Sequence, residues 1–429
     1  MRSRIDVHDD KNNQRNLLVN APLATGARKA ALAFIFVTVV LDMLALGITV
    51  PVLPKLVLGF EGGDSARAAH IVGLFGTLFA AMQFLFAPFL GAVSDRFGRR
   101  PAILLSNFAL GADYVLMALA PSVSWLFLGR TISGICAASF SIPSAYIADV
   151  TTPEKRAAGF GFLGAAFGLG FIIGPAFGGL LGSIDARLPF WVAAGLSLAN
   201  AAYGFFVLPE SLPSERRGTF SWARANPVGA MGLLRKHPLV LGIAAVVFFS
   251  YLSHEVLPSM WVLYTDYRYH WSARAVGYTL ALVGVFSALV QGGLVRTGVA
   301  RMGERRALLL GLACGAIGFA LYGLAPNSYW FMLGIPFGAL WGFAGPSAQA
   351  LMSQRVDASE QGRLQGALAG VRGVTGMLGP TLFTSAFAWS LKLPDPKPGT
   401  PFVLAAGLLG IATLIGFIVT KSADPREPS

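Results

Sequence analysis

Charge is what this sequence has least of. Of its 429 residues only 13% are Asp, Glu, Lys or Arg, against roughly 25% in a soluble globular domain. That scarcity excludes an ordinary soluble surface. An apolar share of 55% and a mean hydropathy of +0.62 exclude a disordered chain as well. Cysteine is nearly absent. Cys136 and Cys314 both lie in apolar runs, where they form neither a disulfide framework nor a metal-ligand spacing and act as small hydrophobes. No metal and no cofactor is expected. The 51 Gly and 25 Pro follow no G-X-Y period, so a collagen-like fibre is out. HExxH, a nucleophile elbow and a phosphate loop are also missing, which argues against an enzyme.

What is present is length of apolar run. Twelve stretches reach the roughly 20 residues that span a bilayer: 30–54, 69–91, 101–120, 124–149, 158–182, 189–208, 238–265, 275–297, 305–324, 327–353, 362–388 and 400–420. They do not alternate, which excludes a β-barrel. The net charge of +12 sits in short clusters between these runs, not in one patch, so the partner is the lipid bilayer and not nucleic acid. With both ends inside, inner segments hold 24 Lys and Arg and outer loops 7, leaving Arg130 and Arg372 within spans. That bias predicts cytoplasmic termini. Residues 1–29 lack the apolar core of a signal peptide and read as a cytoplasmic tail.

The one long polar connection, 209–237, contains PESLPSERRG and divides the spans six and six. The halves repeat. At an offset of 205, Leu119-Ala120-Pro121 meets Leu324-Ala325-Pro326, Trp125 meets Trp330, and Gly174-Pro175 meets Gly379-Pro380. Gly98 and Arg100 meet Gly303 and Arg305. Several matches in order at one offset are a duplication. The expected fold is therefore all-α, with 12 transmembrane helices in two pseudo-symmetric six-helix halves: 1–29 tail, 30–208 first bundle, 209–237 loop, 238–420 second bundle, 421–429 tail. Paired halves of this kind enclose a midplane site and alternate its access by rocking.

Two motifs stand out. GAVSDRFGRR (Gly91, Asp95, Arg96, Gly98, Arg99, Arg100) joins the second and third spans. Asp95 there can accept bonds from a helix N-terminus and latch the halves in one state; the plainer reading is a solvated basic loop. GLGFIIGPAFGG in the fifth span carries Gly168, Gly170, Gly174, Pro175, Gly178 and Gly179. Small residues three and four apart let helices approach closely, and Pro175 removes a backbone donor and loosens one turn. Such a seam suits a helix that must rock, or plain packing. Gly159, Gly161 and Gly164 match GxGxxG but open a membrane span, which leaves no βαβ unit for a dinucleotide.

Ionisable residues inside spans are the third signal: Asp42, Asp113, Arg130, Glu255 and Arg372, with His254 beside Glu255. A charge near the bilayer centre costs about 2.5–3.5 kcal/mol on insertion scales. Exclusion of water favours the protonated form of a carboxyl, which a proton-coupled carrier can use. The alternatives are a structural pair with Arg130 and, for His254, a hydrogen-bonding role without proton relay. Trp261, Tyr264, Tyr267, Tyr269 and Trp271 read as an interface belt, and Phe248 as one inward aromatic.

These residues carry a resemblance. GAVSDRFGRR resembles the loop signature of the major facilitator superfamily, Gly129-Arg130 with Gly134 resembles its helix 4 motif, and GLGFIIGPAFGG resembles the antiporter motif of its drug–proton exchangers. VVLDMLALGITVPVLP (39–54), the stretch 145–182 and VLPSMWVLYTDYRYHW (256–271) are similar to tetracycline efflux pumps. The resemblance implies a proton-coupled antiporter of the bacterial inner membrane that expels amphipathic drugs or metabolites, works as a monomer, and uses Asp42, Asp95, Asp113 and Arg130. The chain departs from those pumps in one respect. They carry an essential acid in the ninth span; here 308–320 reads LLLGLACGAIGFA without one, and Glu255 stands where they tend to have Gln. A proton-coupled importer of a sugar or organic acid is the alternative on the same scaffold. A non-transporting receptor would need a signalling domain, and no polar segment is long enough to form one.

Overall fold

The computed structural model describes residues 25–152, 155–218, 238–357 and 360–421. Most of the expected tails and of the central loop (1–24, 219–237, 422–429) lies outside the described residues. Every regular element among the described residues is a helix. The long ones are α1 (Thr25–Thr49, resuming at Leu53–Phe60), α2 (Ser65–Phe97), α3 (Arg99–Leu119), α4 (Val123–Ala137, resuming at Ile142–Val150), α5 (Arg156–Gly182) and α6 (Leu188–Val207). After the loop come α7 (Pro238–His254, then Val256–Tyr269), α8 (Ala273–Leu289, then Val295–Met302), α9 (Glu304–Leu324), α10 (Ser328–Leu340, then Ala344–Ser353), α11 (Gln361–Leu391) and α12 (Thr400–Lys421).

Each of the twelve expected runs falls on one of these helices. Ten are long and apolar enough to cross a membrane by length and composition. The two that fall short are α10 and α11, for a physical reason: α10 is rich in Gly, Ser and Trp, and α11 carries Arg363 and Arg372 with many Gly and Thr.

Four of the five helix breaks, all but that in α8, follow from proline. Its ring crowds the carbonyl four residues back. That carbonyl belongs to Val50 for Pro54, Ser139 for Pro143, His254 for Pro258 and Gly342 for Pro346, and each lies at a discontinuity: the turn after Thr49, the 3₁₀ turn Ala138–Ser141, the end of Pro238–His254 and the 3₁₀ turn Trp341–Phe343. The breaks in α1 and α4 thus recur in α7 and α10. α3 and α9 have the same length and start 205 residues apart, each preceded by a glycine at positive φ, Gly98 (108°) and Gly303 (80°). The duplication read from the sequence is a duplication of structure.

The halves meet along two seams, α2 against α11 and α5 against α8. Thr77 Oγ1 donates to the Met377 carbonyl (2.7 Å) and lies 2.8 Å from Thr381 Oγ1. A Cβ on Gly76 would meet Pro380 at 2.6 Å, and one on Gly277 the Gly179 Cα at 3.0 Å. Farther along the same direction Lys55 of α1 bridges to α7, 2.7 Å from Asp266 Oδ1 and 2.7 Å from the Trp271 carbonyl. Towards the end that carries the termini, a Cβ on Gly161, Gly164 or Gly168 of α5, or on Gly292 or Gly293 of α8, would meet nothing within 4 Å. The close contacts between the halves thus lie away from Thr25 and Lys421, and the unpacked glycines of α5 and α8 towards them.

Candidate functional site

The parting halves leave a cavity of about 820 Å³ between α1, α2, α4, α5, α7 and α11. Its wall is mostly apolar, with Phe75, Phe79, Phe84 and Phe171 from the first half, and its charges converge from three helices: Arg130, Glu255 and Arg372, with His254 beside them. Glu255 is the residue at the α7 break, so the proline-driven discontinuity sets the acid against α11. Gly379 makes room for it, since a Cβ there would collide with the Glu255 Cβ and Cγ.

The two guanidiniums rest on rings. The Arg130 Cζ stands 4.3 Å from the Phe79 centroid and the Arg372 Cζ 4.6 Å from that of Tyr251. Among the described residues no carboxylate lies within ion-pair distance of either. A cation–π contact is worth about 0.5–2 kcal/mol, which does not offset the insertion penalty of a charge in a span, ~2.5–3.5 kcal/mol. The remainder has to come from water or a ligand in the cavity. His254 stacks on Trp341 at 5.1 Å, and the Trp341 indole donates to Ser250 Oγ (2.9 Å).

Asp42 and Asp113 stand elsewhere. Neither lines the cavity; both are buried within the first bundle. Asp42 of α1 accepts from the Asn200 amide of α6 (2.8 Å), which also donates to the Thr38 carbonyl (2.9 Å). Asn107 of α3, with its amide nitrogen turned to the acid, lies 3.2 Å from both carboxylate oxygens. Asp42 is held by neutral donors, an arrangement that can keep it either charged or protonated. Asp113 of α3 accepts from Ser133 of α4, while its other oxygen has no partner. Gly129 brings α4 close, since a Cβ there would lie 3.1 Å from Asp113 Oδ1, and the next residue is Arg130 on the cavity wall. The direct ion pair with Arg130, weighed as an alternative, does not form in this structure.

The α2–α3 loop forms a network inside the first half. Arg99 pairs with Asp95 (2.6 Å) and with Asp149 of α4 (3.2 Å), and donates to Ser94 Oγ (2.6 Å). The N-terminus of α3 is capped by Glu210, which accepts from the backbone N–H of Arg99 (2.9 Å) and Arg100 (3.3 Å), and from those of Ser211 and Leu212. The cap carboxylate comes from the PESLPSERRG segment because Gly98 at φ 108° turns the α3 start towards it; a Cβ on Gly98 would strike Glu210 Oε2. Arg100 also donates to the Phe205 carbonyl, and Arg96 lies over the Phe97 ring (5.2 Å). Gly91 meets nothing.

The α5 motif divides into three uses. Gly170, Gly174 and Gly178 face α1, where a Cβ would meet Met43, Gly47 and Ile48. Gly179 and the Pro175 carbonyl face Gly277 of α8 in the other half. Gly168 faces open space. One glycine stripe is thus a packing seam within the first half, and its last turn is the hinge-side contact with the second.

Two readings of aromatic residues change. Trp261 and Tyr264 are not at an interface; each is about 1% exposed. They pack around Phe331 with Tyr269, Trp271 and Tyr322, ring centroids 4.7–5.7 Å from it. The compositional belt rule cannot see that α9, α10 and α12 cover them. Phe248 does not line the cavity, and Tyr251 three residues on does. Asn107, Asn200, Glu210, Asp149, Tyr251 and Trp341 were not singled out from sequence. Lone amides in apolar spans were a signal for the first two.

The comparisons agree with this architecture. The model of the Major Facilitator Superfamily matches residues 35–380. The chain is 39% identical over 360 residues to the tetracycline resistance protein, class C, of Escherichia coli, covering 84% of this chain and 90% of that one. It is 34% identical to the class D protein of Salmonella ordonez, covering 90% and 96%. Among solved structures, a bacterial homolog of the human lysosomal transporter Spinster, inward-facing and occupied, superposes with a TM-score of 0.73 at 17% identity, covering 95% of this chain and all of the other. With two repeated helical halves around one charged cavity and a family match over most of its length, the chain belongs to the major facilitator superfamily.

Proposed function

We propose that this multi-pass membrane protein is a proton-coupled antiporter that exports amphipathic small molecules of the tetracycline or multidrug type by alternating access. It is a transporter and not an enzyme, acts as a monomer in the bacterial inner membrane, and keeps both termini in the cytoplasm. With that orientation, the described state is closed outside and open inside. The observation that carries the reading is the single cavity between the halves, whose wall sets Glu255 among Arg130, Arg372 and aromatic rings, in a chain 39% identical to a tetracycline resistance protein.

Substrate enters the inward cavity and rests its apolar body on Phe79, Phe84 and Phe171. Protons reach Glu255 on the wall, and Asp113 and Asp42 behind it. Protonation removes buried charge, so it shifts the balance between states that hydrate these acids differently. The halves then pivot on the Gly179–Gly277 contact, and the Lys55–Asp266 bridge opens. The membrane stretch 308–320 of the ninth helix carries no acid, and its middle is filled by packing: a Cβ on Gly315 would lie 2.8 Å from Trp341 and 3.0 Å from Leu409. That supports coupling through the other three acids.

Everted vesicles from a host lacking its own drug exporters test the reading. Tetracycline or a dye should accumulate in them when a pH gradient, acid inside, is imposed, and collapse of that gradient should abolish accumulation. Accumulation that ignores the gradient would overturn the antiport, and no accumulation across a broad drug panel would overturn the substrate class.

A further inference from the structure

A second cavity of about 390 Å³ lies within the second half, between α7, α8, α9, α10 and α11. It shares three wall residues with the central cavity, Tyr251, His254 and Arg372, so the two cavities adjoin there. Its other polar groups are Ser250, Gln291 and Gln349. These are neutral, which leaves the Arg372 guanidinium as the only full positive charge on that wall and, among the described residues, without a carboxylate in ion-pair range.

Two further features mark this pocket as built and not left over. Gln291 sits in the π-helical turn Val290–Leu294 that interrupts α8, a distortion frequent at functional sites. It lies against α10 there, since a Cβ on Gly342 would lie 3.3 Å from its Cγ. Part of the polar lining also does not come from the duplication. Counting back 205 residues, Gln291, Trp341 and Arg372 fall on Phe86, Cys136 and Phe167, and α2 runs unbroken through Phe86. At these three positions the second half carries donors where the first carries hydrophobic side chains, while Gln349 falls on Ser144 and His254 on Thr49.

We infer that this side pocket is a second ligand subsite, which takes a carboxylate or enolate head group on Arg372, Gln291 and Gln349 while the apolar body of the same molecule lies in the central cavity. The planar guanidinium suits a flat two-oxygen anion, and the amide side chains add neutral donors behind it. The inference rests on the export reading for why a ligand enters. It narrows that reading to anionic or zwitterionic amphipaths and away from simple cations.

The test is binding to the purified full-length protein in nanodiscs, without any gradient, of 2-naphthoate and its neutral counterpart 2-naphthamide. Naphthoate should bind about tenfold more tightly, the scale of one charge-assisted hydrogen bond. R372Q should erase the preference while leaving naphthamide unchanged, and R372K, which keeps the charge and loses the planar fork, should keep only part of it, which separates lost chemistry from lost fold. Q291L and Q349L should weaken naphthoate several-fold and spare naphthamide. R130Q should keep the preference. Equal binding of the two probes, a preference that survives R372Q, one that is lost with R130Q instead, or indifference to Q291L and Q349L would each overturn the subsite. Because no gradient is used, the outcome is separate from the vesicle test: gradient-independent transport with the acid preference intact would overturn antiport alone.

Discussion

The two halves share a backbone plan and bury opposite chemistries. Among the described residues, the first half buries two carboxylates, Asp42 and Asp113, and two amides, Asn107 and Asn200, while the buried polar side chains of the second half are all Ser or Thr. The hydroxyls of the second half mostly satisfy themselves on their own helices, Thr265 on the Trp261 carbonyl, Thr384 on that of Pro380 and Thr420 on that of Gly416. Such back-bonds do not tie helices together. In the first half the polar bonds cross between helices, Asn200 to Asp42, Ser133 to Asp113, and Ser106 to the Cys136 carbonyl (2.8 Å). The second half instead fills its interior with rings around Phe331. A duplicated scaffold thus holds buried carboxylates and amides in one half and an aromatic block in the other, with Glu255, His254 and Arg372 brought to the shared cavity from the second.

The sharpest break of this contrast is to neutralise the acids. D42N and D113N should each lower gradient-driven export by roughly 5–150-fold, the span of a 1–3 kcal/mol coupling, with folding intact because amides replace carboxylates of the same shape. S347A in the second half removes a buried hydroxyl that has no partner and should leave export unchanged. Equal effects in the two halves would dissolve the distinction. Export assays in vesicles, normalised to protein level, decide it.

The α5 seam gives the next largest effect. G178V pushes a side chain into the Ile48 backbone, an overpacking that costs roughly 1–3 kcal/mol or more where backbone has to move. G168V meets open space and should unfold with the wild type in thermal scans in nanodiscs. Equal melting of the two would show that the glycines are not a contact seam.

Smaller still is the difference between the paired loop glycines. Ala at either Gly98 or Gly303 takes up a positive-φ conformation at about 1–3 kcal/mol. G98A also displaces Glu210 from the α3 N-terminus, which adds about 0.5–2 kcal/mol, the worth of a helix cap. G303A meets no neighbour. Thermal unfolding should therefore fall further for G98A; the reverse order would remove Glu210 from its role.

The smallest expected effect lies at Asp64, which caps α2 by accepting from the backbone N–H of Ala66 and Arg67, both 3.0 Å. Those bonds, that of Arg67 foremost, hold its carboxyl below the usual range against a weaker desolvation effect. A depressed carboxyl stabilises above its ordinary range, and the contribution is lost as pH falls through that range to the lowered value. D64A should speed hydrogen exchange in the first turn of α2 at neutral pH and lose that difference in acid, with export unaffected. No change in exchange at neutral pH would show that the cap does nothing.

Much of this was legible in one dimension. The spans, the duplication and the charged residues within membrane runs follow from hydropathy and an offset of 205, because a bilayer imposes its length and polarity on any chain that crosses it. Arg130, Glu255 and Arg372 could be named without knowing what they face. The amide cage of Asp42 was not legible, because Asn107 and Asn200 lie 65 and 158 residues from it and meet it only when α1, α3 and α6 pack. Trp261 and Tyr264 were misplaced for the same reason: composition gives polarity, and burial depends on which helices cover a face.

The chain by itself determined its helices, their proline breaks and its membrane setting, since these depend on local backbone sterics and on solvent. Only the tertiary structure decided which acids line the cavity and which lie behind it, that Glu210 caps α3, and that Arg372 borders two pockets. Those outcomes depend on the relative rotation of helices far apart in sequence, where a turn of one helix by one residue carries a charge from a wet cavity to a dry seam.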